Sequence, residues 1–388
     1  MKYLSISFFL IFVLRQNFSY PLFAQGVDKV LTETSSIQTA LNVNSDILSH
    51  QKKIEYAKSK LSEMRSFYFP QADLNLAILS FNNSNAQIAS INFSQSSIYI
   101  PQGNQKIHYS TRVSAWQNIY TGGRISAANK TAKQNLKRIQ IEEELVKLKV
   151  VTDVKMSFNE ILYHRELLQI YGDKKLSKKK DTADVKRRIM SEQFQYKKAV
   201  LNLLRAIGLE LNTNVEISGD FNPKIKNISL EKCLLLAYQF NDRFKNLQFS
   251  DIDEDVSLDL LSIRTLPFIS AGISQEWTGE KIVGEKSSWY GAIVASIPIL
   301  GGKANYERLK QEQIKEREAA LNNVKVRDDV RFNIEKSFME YNFWKNLLLL
   351  ENLSDTNILT ESSAEIIYNL NNSYYALELA VGVELDSY

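Results

Sequence analysis

Two hydrophobic periods alternate along this chain, and the alternation occurs twice. Over residues 37–68, Ile37, Leu41, Ile47, Ile54, Ala57 and Leu61 recur at near-helical spacing with Ser, Lys and Gln between them. This predicts a helix that Pro70 ends, because proline disfavours helical geometry in the residue before it. Leu74, Leu76 and Ile78 then alternate with Asp73, Asn75 and Ala77, which predicts a strand over about 71–82. A polar stretch from Asn82 to about Lys106 reads as a long loop. A second strand over about 108–120 sets Tyr109, Thr111, Val113, Ala115 and Ile119 on one face and Ser110, Arg112, Ser114, Trp116 and Asn118 on the other. Behind Gly122 and Gly123 a long helix is predicted over about 124–176. There Ile141, Leu145, Leu148, Val151, Val154, Phe158, Ile161 and Leu168 keep coiled-coil spacing. A charged turn from about Lys178 to Thr182 leads into a shorter helix, Asp184 to Ile207, which ends at Gly208, a plausible C-terminal cap.

After a seam over residues 211–229 the order returns. A helix from Leu230 reaches Arg264 and ends at Pro267; strands follow over about 268–277 and 288–300, with a Gly/Lys/Glu loop between them. Gly301 and Gly302 then open a long helix over about 303–359, and a final helix from Ser362 to Ala380 ends at Gly382. The landmarks pair. Asn44 lies 26 residues before Pro70, and Asn241 lies 26 before Pro267. Ser157-Phe158 matches Ser337-Phe338, and Ala206-Ile207-Gly208-Leu209-Glu210 matches Ala380-Val381-Gly382-Val383-Glu384. Ordered duplication of this kind predicts an internal repeat, with units at 26–210 and 230–388.

Composition fits long helices, since 388 residues hold only 14 glycines and 6 prolines. The 48 basic and 44 acidic residues are interleaved, which argues against a concentrated nucleic-acid-binding face; the Lys178-Lys179-Lys180 run reads as a solvated turn. Residues 1–25 have the form of a secretory signal. Lys2 is followed by an apolar run from Leu4 to Leu14, and Pro21-Leu22-Phe23-Ala24 resembles a cleavage region. The single cysteine, Cys233, cannot form an intramolecular disulfide and reads as a small core residue. Four strands cannot close a barrel within one chain, because even small barrels need about eight. If these strands enter a bilayer, they must close by oligomerisation, since lipid does not tolerate unpaired backbone. Trp116, Tyr120, Trp277, Trp289 and Tyr290 fall near strand ends, as an aromatic girdle would. In a soluble β-subdomain the same aromatics would be core.

At this point the residues carry a resemblance. Trp116-Gln117-Asn118-Ile119-Tyr120-Thr121-Gly122-Gly123 is similar to the join between strand and long helix in the TolC-like outer membrane efflux protein family, and Pro298-Ile299-Leu300-Gly301-Gly302 is similar to its second copy. The likeness covers roughly residues 36–384. It implies a mainly α fold with a small β part, built from a twice-repeated unit of helix, strand, strand, long helix and returning helix. A homotrimer would form an α-barrel tunnel in the periplasm and a shared twelve-stranded transmembrane β-barrel in outer membrane lipid. The helical hairpins look shorter than usual for the family. The implied role is an outer membrane exit duct of a tripartite efflux or type I secretion system, working with a periplasmic adaptor protein and an inner-membrane transporter. The alternatives are a secreted or periplasmic coiled-coil scaffold without a pore, or a degenerate, shortened efflux protein.

No catalytic, cofactor or metal constellation stands out. His50, His108 and His164 do not pair at ligand spacing, and neither a phosphate-binding loop nor a nucleophile elbow is present. One carboxylate set has a functional reading by resemblance. Asp184 and Glu365 lie just past the two hairpin tips, where threefold symmetry would make rings that narrow a tunnel mouth and attract cations. The same residues also read simply as carboxylates favoured near helix N-termini. Gly122, Gly123, Gly301 and Gly302 are expected as strand-to-helix joins, and Pro70 and Pro267 as helix-to-strand breaks.

Overall fold

A computed structural model describes residues 29–80, 90–93, 96–99, 107–177, 183–247, 266–279, 286–298, 303–351 and 360–385. The signal-like segment, the Lys178–Lys180 run, Gly301 and Gly302 lie outside the described residues.

Helix α1 (Glu33–Val43) is followed by α2 (Ser45–Ser66), then β2 (Gln71–Ser80), β5 (Ile107–Tyr120), α3 (Arg124–Ser177) and α4 (Ala183–Ile207). The short β1 (Lys29–Leu31) pairs in parallel with β6 (Val215–Ile217). The second half carries α5 (Leu230–Phe240), a helical stretch α6 over 242–247, β7 (Phe268–Gly279), β8 (Lys286–Ser296), α7 (Lys303–Leu350) and α8 (Glu361–Val381). Where a featureless loop was expected after β2, the structure contains a short antiparallel hairpin, β3 (Ser90–Phe93) with β4 (Ser96–Tyr99).

The expected single helix over 37–68 is two helices. Asn44 leaves helical geometry at φ −63° and ψ 130°, and its side chain caps α2 by accepting the Asp46 N–H at 2.8 Å. The expected helix from Leu230 breaks in the same way. Asn241 sits at φ −65° and ψ 122°, and its side chain accepts the Arg243 N–H at 2.9 Å.

The helices form one layer. Helix α3 packs against α2 near its start, and against α4 and α8 further on; α8 also packs against α7. The wall order is therefore α4, α3, α8, α7. The core lies where these four run together. It contains Val150, Val154, Phe158 and Ile161 of α3, Leu203 and Ile207 of α4, Ile334 and Tyr341 of α7, and Leu370, Tyr374 and Leu377 of α8. Spacings of three, four or seven along each helix keep these apolar residues on one face.

A strap between the halves crosses this core. Tyr341 Oη on α7 accepts the Lys226 N–H at 2.7 Å, and Asn371 Oδ1 on α8 accepts the Lys224 N–H at 2.7 Å. Arg165 of α3 donates to the Gly219 carbonyl. These bonds satisfy backbone groups that burial would otherwise leave unpaired.

The four long strands form one antiparallel sheet, ordered β2-β5-β7-β8. Strands β2 and β5 come from the first half and β7 and β8 from the second, so the β5–β7 pair joins the halves. No helix among the described residues is long and apolar enough to cross a membrane.

Candidate functional site

The sheet is built inside out for a protein in water. Its register puts Leu74, Leu76, Ile78, Val113, Ile273, Trp277, Trp289 and Ile293 on one face. Leu74 is 62% exposed, Leu76 65%, Ile78 66% and Ile293 78%. The opposite face carries Asp73, Asn75, Ser110, Arg112, Ser114, Ser274 and Glu276, and there Ser110, Ser114 and Ser274 are buried. An exposed apolar patch beside a shielded polar one is the informative arrangement, because scattered exposed leucines carry no such meaning.

On the polar face Arg112 lies directly across from Glu276, between β5 and β7. Arg112 Nη2 reaches both Glu276 carboxylate oxygens at 3.1 Å, and Ser110 Oγ donates to Oε1 at 2.8 Å. Trp116 lies on this face too, its indole against Gly272, where an added Cβ would come within 2.3 Å of the ring. Trp116 is thus not on the apolar face that a girdle residue needs, and Tyr290, opposite Ser274, shares its side. Trp277 and Trp289 do lie on the apolar face.

The breaks expected from sequence gather at one end of the sheet. Gly122 and Gly123 have φ of 61° and 85°, left-handed geometry that side chains disfavour, and they turn β5 into α3. The Gly123 carbonyl accepts the Ala127 N–H at 2.9 Å, which starts the helical ladder. Pro70 stands immediately before β2, whose first residue pairs with Trp116; Pro267 stands immediately before β7. Gln117 Nε2 donates to the Tyr68 carbonyl at 2.7 Å and Arg124 to that of Leu266 at 3.5 Å, tying both incoming segments to this join.

Two further joints, which sequence reasoning used only as landmarks, are the same device in each half. Asn44 Nδ2 donates to the Ala206 carbonyl at 2.8 Å, and Asn241 Nδ2 donates to that of Ala380 at 2.9 Å. Gly208 (φ 91°) and Gly382 (φ 92°) end α4 and α8 in left-handed geometry and lie against Asn44 and Asn241. An asparagine that starts one helix therefore clasps the end of another. In the first half the clasp sets α2 end to end with α4 along α3. The matched spacing of Asn44 and Asn241 before their prolines was the signal for it, together with asparagine's preference for the N-cap.

The α3–α8 seam carries polar and aromatic rungs. Lys155 bridges Glu378 and Glu384, each at 3.1 Å, and Glu378 also accepts the Leu385 N–H at 2.9 Å. Burial by itself would lower the Lys155 pKa, but the carboxylates of Glu378 and Glu384 together outweigh it and hold the pKa above its ordinary value. Asn159 bonds to Tyr368, Asn371 and Asn372, and the Tyr163 ring stacks on that of Tyr368 at 4.6 Å. Burial, then the charges of Glu365 and Glu192, push the Tyr163 phenol up to about 12. Toward the hairpin tips Tyr171 Oη donates to Glu361 at 2.6 Å, and Arg188 of α4 bonds the same carboxylate at 3.0 Å. His164 Nδ1 lies 2.7 Å from Glu192 across the α3–α4 seam.

Asp184 sits in the first turn of α4, solvent-exposed, 3.1 Å from Arg187. Glu365 is exposed in the first turns of α8. The two carboxylates stand on different helices, and no direct bond joins them.

No protein-family profile and no curated sequence matches this chain. Solved structures do. A membrane protein of Pseudomonas aeruginosa superposes with a TM-score of 0.67 at 12% identity, over 90% of this chain and 93% of its own. CusC, described in connection with folding and transmembrane channel formation, gives 0.64 at 12% identity, over 90% and 92%. This is the TolC-like outer membrane channel fold. The CmeC outer membrane channel of Campylobacter jejuni shares it, with a TM-score of 0.57 at 14% identity over 91% of this chain and 86% of its own. The shared fold fixes the mainly helical architecture with a minor sheet. At such identities the role of this chain has to be argued from its own residues.

Proposed function

We propose that this chain is one subunit of a homotrimeric exit duct in the outer membrane. It would be a passive conduit for drugs or other small exported compounds within a tripartite efflux or type I secretion system. The observation that carries the reading is the inverted sheet: apolar outward, polar shielded, four strands, two open edges. The edge strands β2 and β8 run in opposite directions, so β8 of one copy can pair with β2 of the next and continue the antiparallel alternation. Three copies would pool twelve strands and remove every edge, which a bilayer requires.

The helical wall supports the same closure. Its flanks carry exposed apolar residues: Met190 and Phe194 on α4, and Ile314, Leu321, Phe332 and Met339 on α7. The α7 residues are spaced 7, 11 and 7 positions apart, which keeps them along one face of the helix. A head-to-tail ring would join one copy's α7 to its neighbour's α2 and α4. With 54 residues, α3 is about 80 Å long, the length of wall such a tunnel would have on the periplasmic side.

In this reading residues 1–25 are removed on export, the units 26–210 and 230–388 build the wall and barrel together, and Gly301 and Gly302 repeat the turn at Gly122 and Gly123. The energy source lies elsewhere, in an inner-membrane transporter reached through a periplasmic adaptor that docks on the helical hairpins. Asp184 and Glu365 would stand as threefold rings near the tunnel mouth and attract cations; unchanged conductance and cation block in Glu365→Ala would remove that role. The deciding experiment for the duct is fractionation. Heat-modifiable trimers in the outer-membrane fraction are expected. A soluble periplasmic monomer would overturn the duct and favour a coiled-coil scaffold.

A further inference from the structure

Two aromatic rings and a carboxylate gather on the polar face of the sheet. Trp116 of β5 pairs with Gly272 of β7, and its ring atoms Cδ2 and Cε3 occupy the space where a Gly272 side chain would stand. The indole therefore leans over β7, and it stays partly exposed. One same-face step along, a single row crosses all four strands: Asp73, Ser114, Ser274 and Tyr290. The middle of this row lies low, because the two serines are short and buried. Its ends project, with Asp73 exposed and Tyr290 46% exposed. Ser274 Oγ is buried without a hydrogen-bond partner among the described residues. The exposed charge beside the rings is negative. Arg112 and Glu276, in the next row, are paired at 3.1 Å, and Lys286 lies four residues from Tyr290 along β8, about 13 Å away.

We infer that Trp116 and this row form a binding site for flat aromatic amines that carry positive charge, one site per subunit. The Trp116 and Tyr290 rings offer π-faces to a planar cation, and the Asp73 carboxylate meets its charge. The low floor at Ser114 and Ser274 leaves room between the rings. An amine N–H would give Ser274 Oγ the partner it lacks. The inference rests on the duct reading, in which the polar face lines the lumen and threefold symmetry repeats the site around it. Trp116 pairs with the first residue of β2, so the sites would stand where the helical wall meets the barrel. Exported molecules pass there, and a stacking wall favours those of one shape and charge. A tryptophan over a strand glycine also shields the backbone beneath it, and the variants below keep that cover while removing the π-face.

The test is block of KCl current through the purified full-length protein in planar bilayers at neutral pH. Proflavine, flat and protonated at that pH, is the probe. Acridine, flat and uncharged, and tetraethylammonium, charged and not aromatic, are the controls. Wild type is expected to be blocked by proflavine at a lower concentration than by either control. Trp116→Leu keeps an apolar cover over Gly272; it should raise the half-blocking concentration of proflavine roughly 5-fold and leave that of tetraethylammonium unchanged. Trp116→Phe should retain most of the block. Asp73→Asn should weaken block by proflavine and not by acridine. Trimer retention on unheated gels shows that each variant assembles; should Trp116→Leu fail to do so, Tyr290→Leu, whose side chain is exposed, is expected to weaken proflavine block in its place. A second measurement reads the stacking itself: proflavine emission should be quenched by wild type and recover in Trp116→Leu. Conducting pores that proflavine does not block, or blocks equally in wild type and variants, would overturn the inference and leave the duct standing. Block by a neutral sugar, lost in Trp116→Leu while proflavine is inert, would overturn it as well and make the rings a sugar slide. A wild type that forms no pore would overturn the duct and the inference with it.

Discussion

The paired clasps permit a test with an internal comparison. In Gly382→Ala the new Cβ meets two penalties. The residue sits at φ 92°, where a side chain costs ~1–2 kcal/mol. The Cβ would also stand 2.7 Å from Asn241 Cα and 3.1 Å from its nitrogen. Those are backbone atoms and cannot rotate away, so the helix ends must separate. Separation lengthens the bond from Asn241 Nδ2 to the Ala380 carbonyl, now 2.9 Å and worth ~1 kcal/mol net. The expected loss is about 2–3 kcal/mol. Gly208→Ala shares the backbone penalty at φ 91°, but its nearest atom, Asn44 Cα, is 3.0 Å away. A shift of a few tenths of an ångström suffices there, so about 1–2 kcal/mol is expected. Gly172→Ala is the control: inside α3, with nothing within 4 Å of its added Cβ, it should gain ~0.5–1 kcal/mol. Melting of the purified protein, followed by circular dichroism at the helical band, should rank the variants in that order. If Gly382→Ala melts with wild type, or if Gly208→Ala melts below Gly382→Ala, the clasp does not hold the helix ends as described.

Three further outcomes are expected. Lys155→Met should cost ~3–5 kcal/mol, because it removes one partner of a buried ion pair whose carboxylate, Glu378, is 2% exposed. The Lys155 pKa is raised in the folded chain, so its stabilisation is full below the ordinary value of 10.5 and disappears as pH rises through the raised value; alkaline melts of wild type and variant should converge there. Burial and the bond to Glu361 hold the Tyr171 phenol above its ordinary pKa, so Glu361→Gln should lower it, as read by ultraviolet titration of the phenolate. Gly272→Ala drives a Cβ into the Trp116 indole; a loss of ~1–3 kcal/mol and a shift in tryptophan emission are expected, whereas unchanged emission would mean the ring does not lie there.

How much of this was legible beforehand follows from the range of each interaction. Strand alternation is local, so Leu74, Leu76 and Ile78 announced one apolar face and Ser110, Arg112 and Ser114 a polar one. The Gly-Gly and proline breaks were equally readable, because backbone geometry at Gly122, Gly123 and Pro70 depends on the residue itself. The duplication was visible as spacing, yet its purpose was not. Asn44 and Asn241 looked like polar members of continuous helices, and only the approach of Ala206 and Ala380 from far along the chain made them breaks. The short hairpin after β2 was missed because a Ser- and Asn-rich segment lacks the strong alternation that marks the longer strands.

The sequence by itself determined the order of the long helices and strands and the sidedness of the sheet, carried by the period of apolar residues. The tertiary structure alone decided which strands are neighbours, and hence that Arg112 meets Glu276 across the join of the two halves. It also decided that Trp116 lies over Gly272 and that Lys155 is buried with Glu378. Each of these couples residues more than 150 positions apart, a separation that no local pattern records.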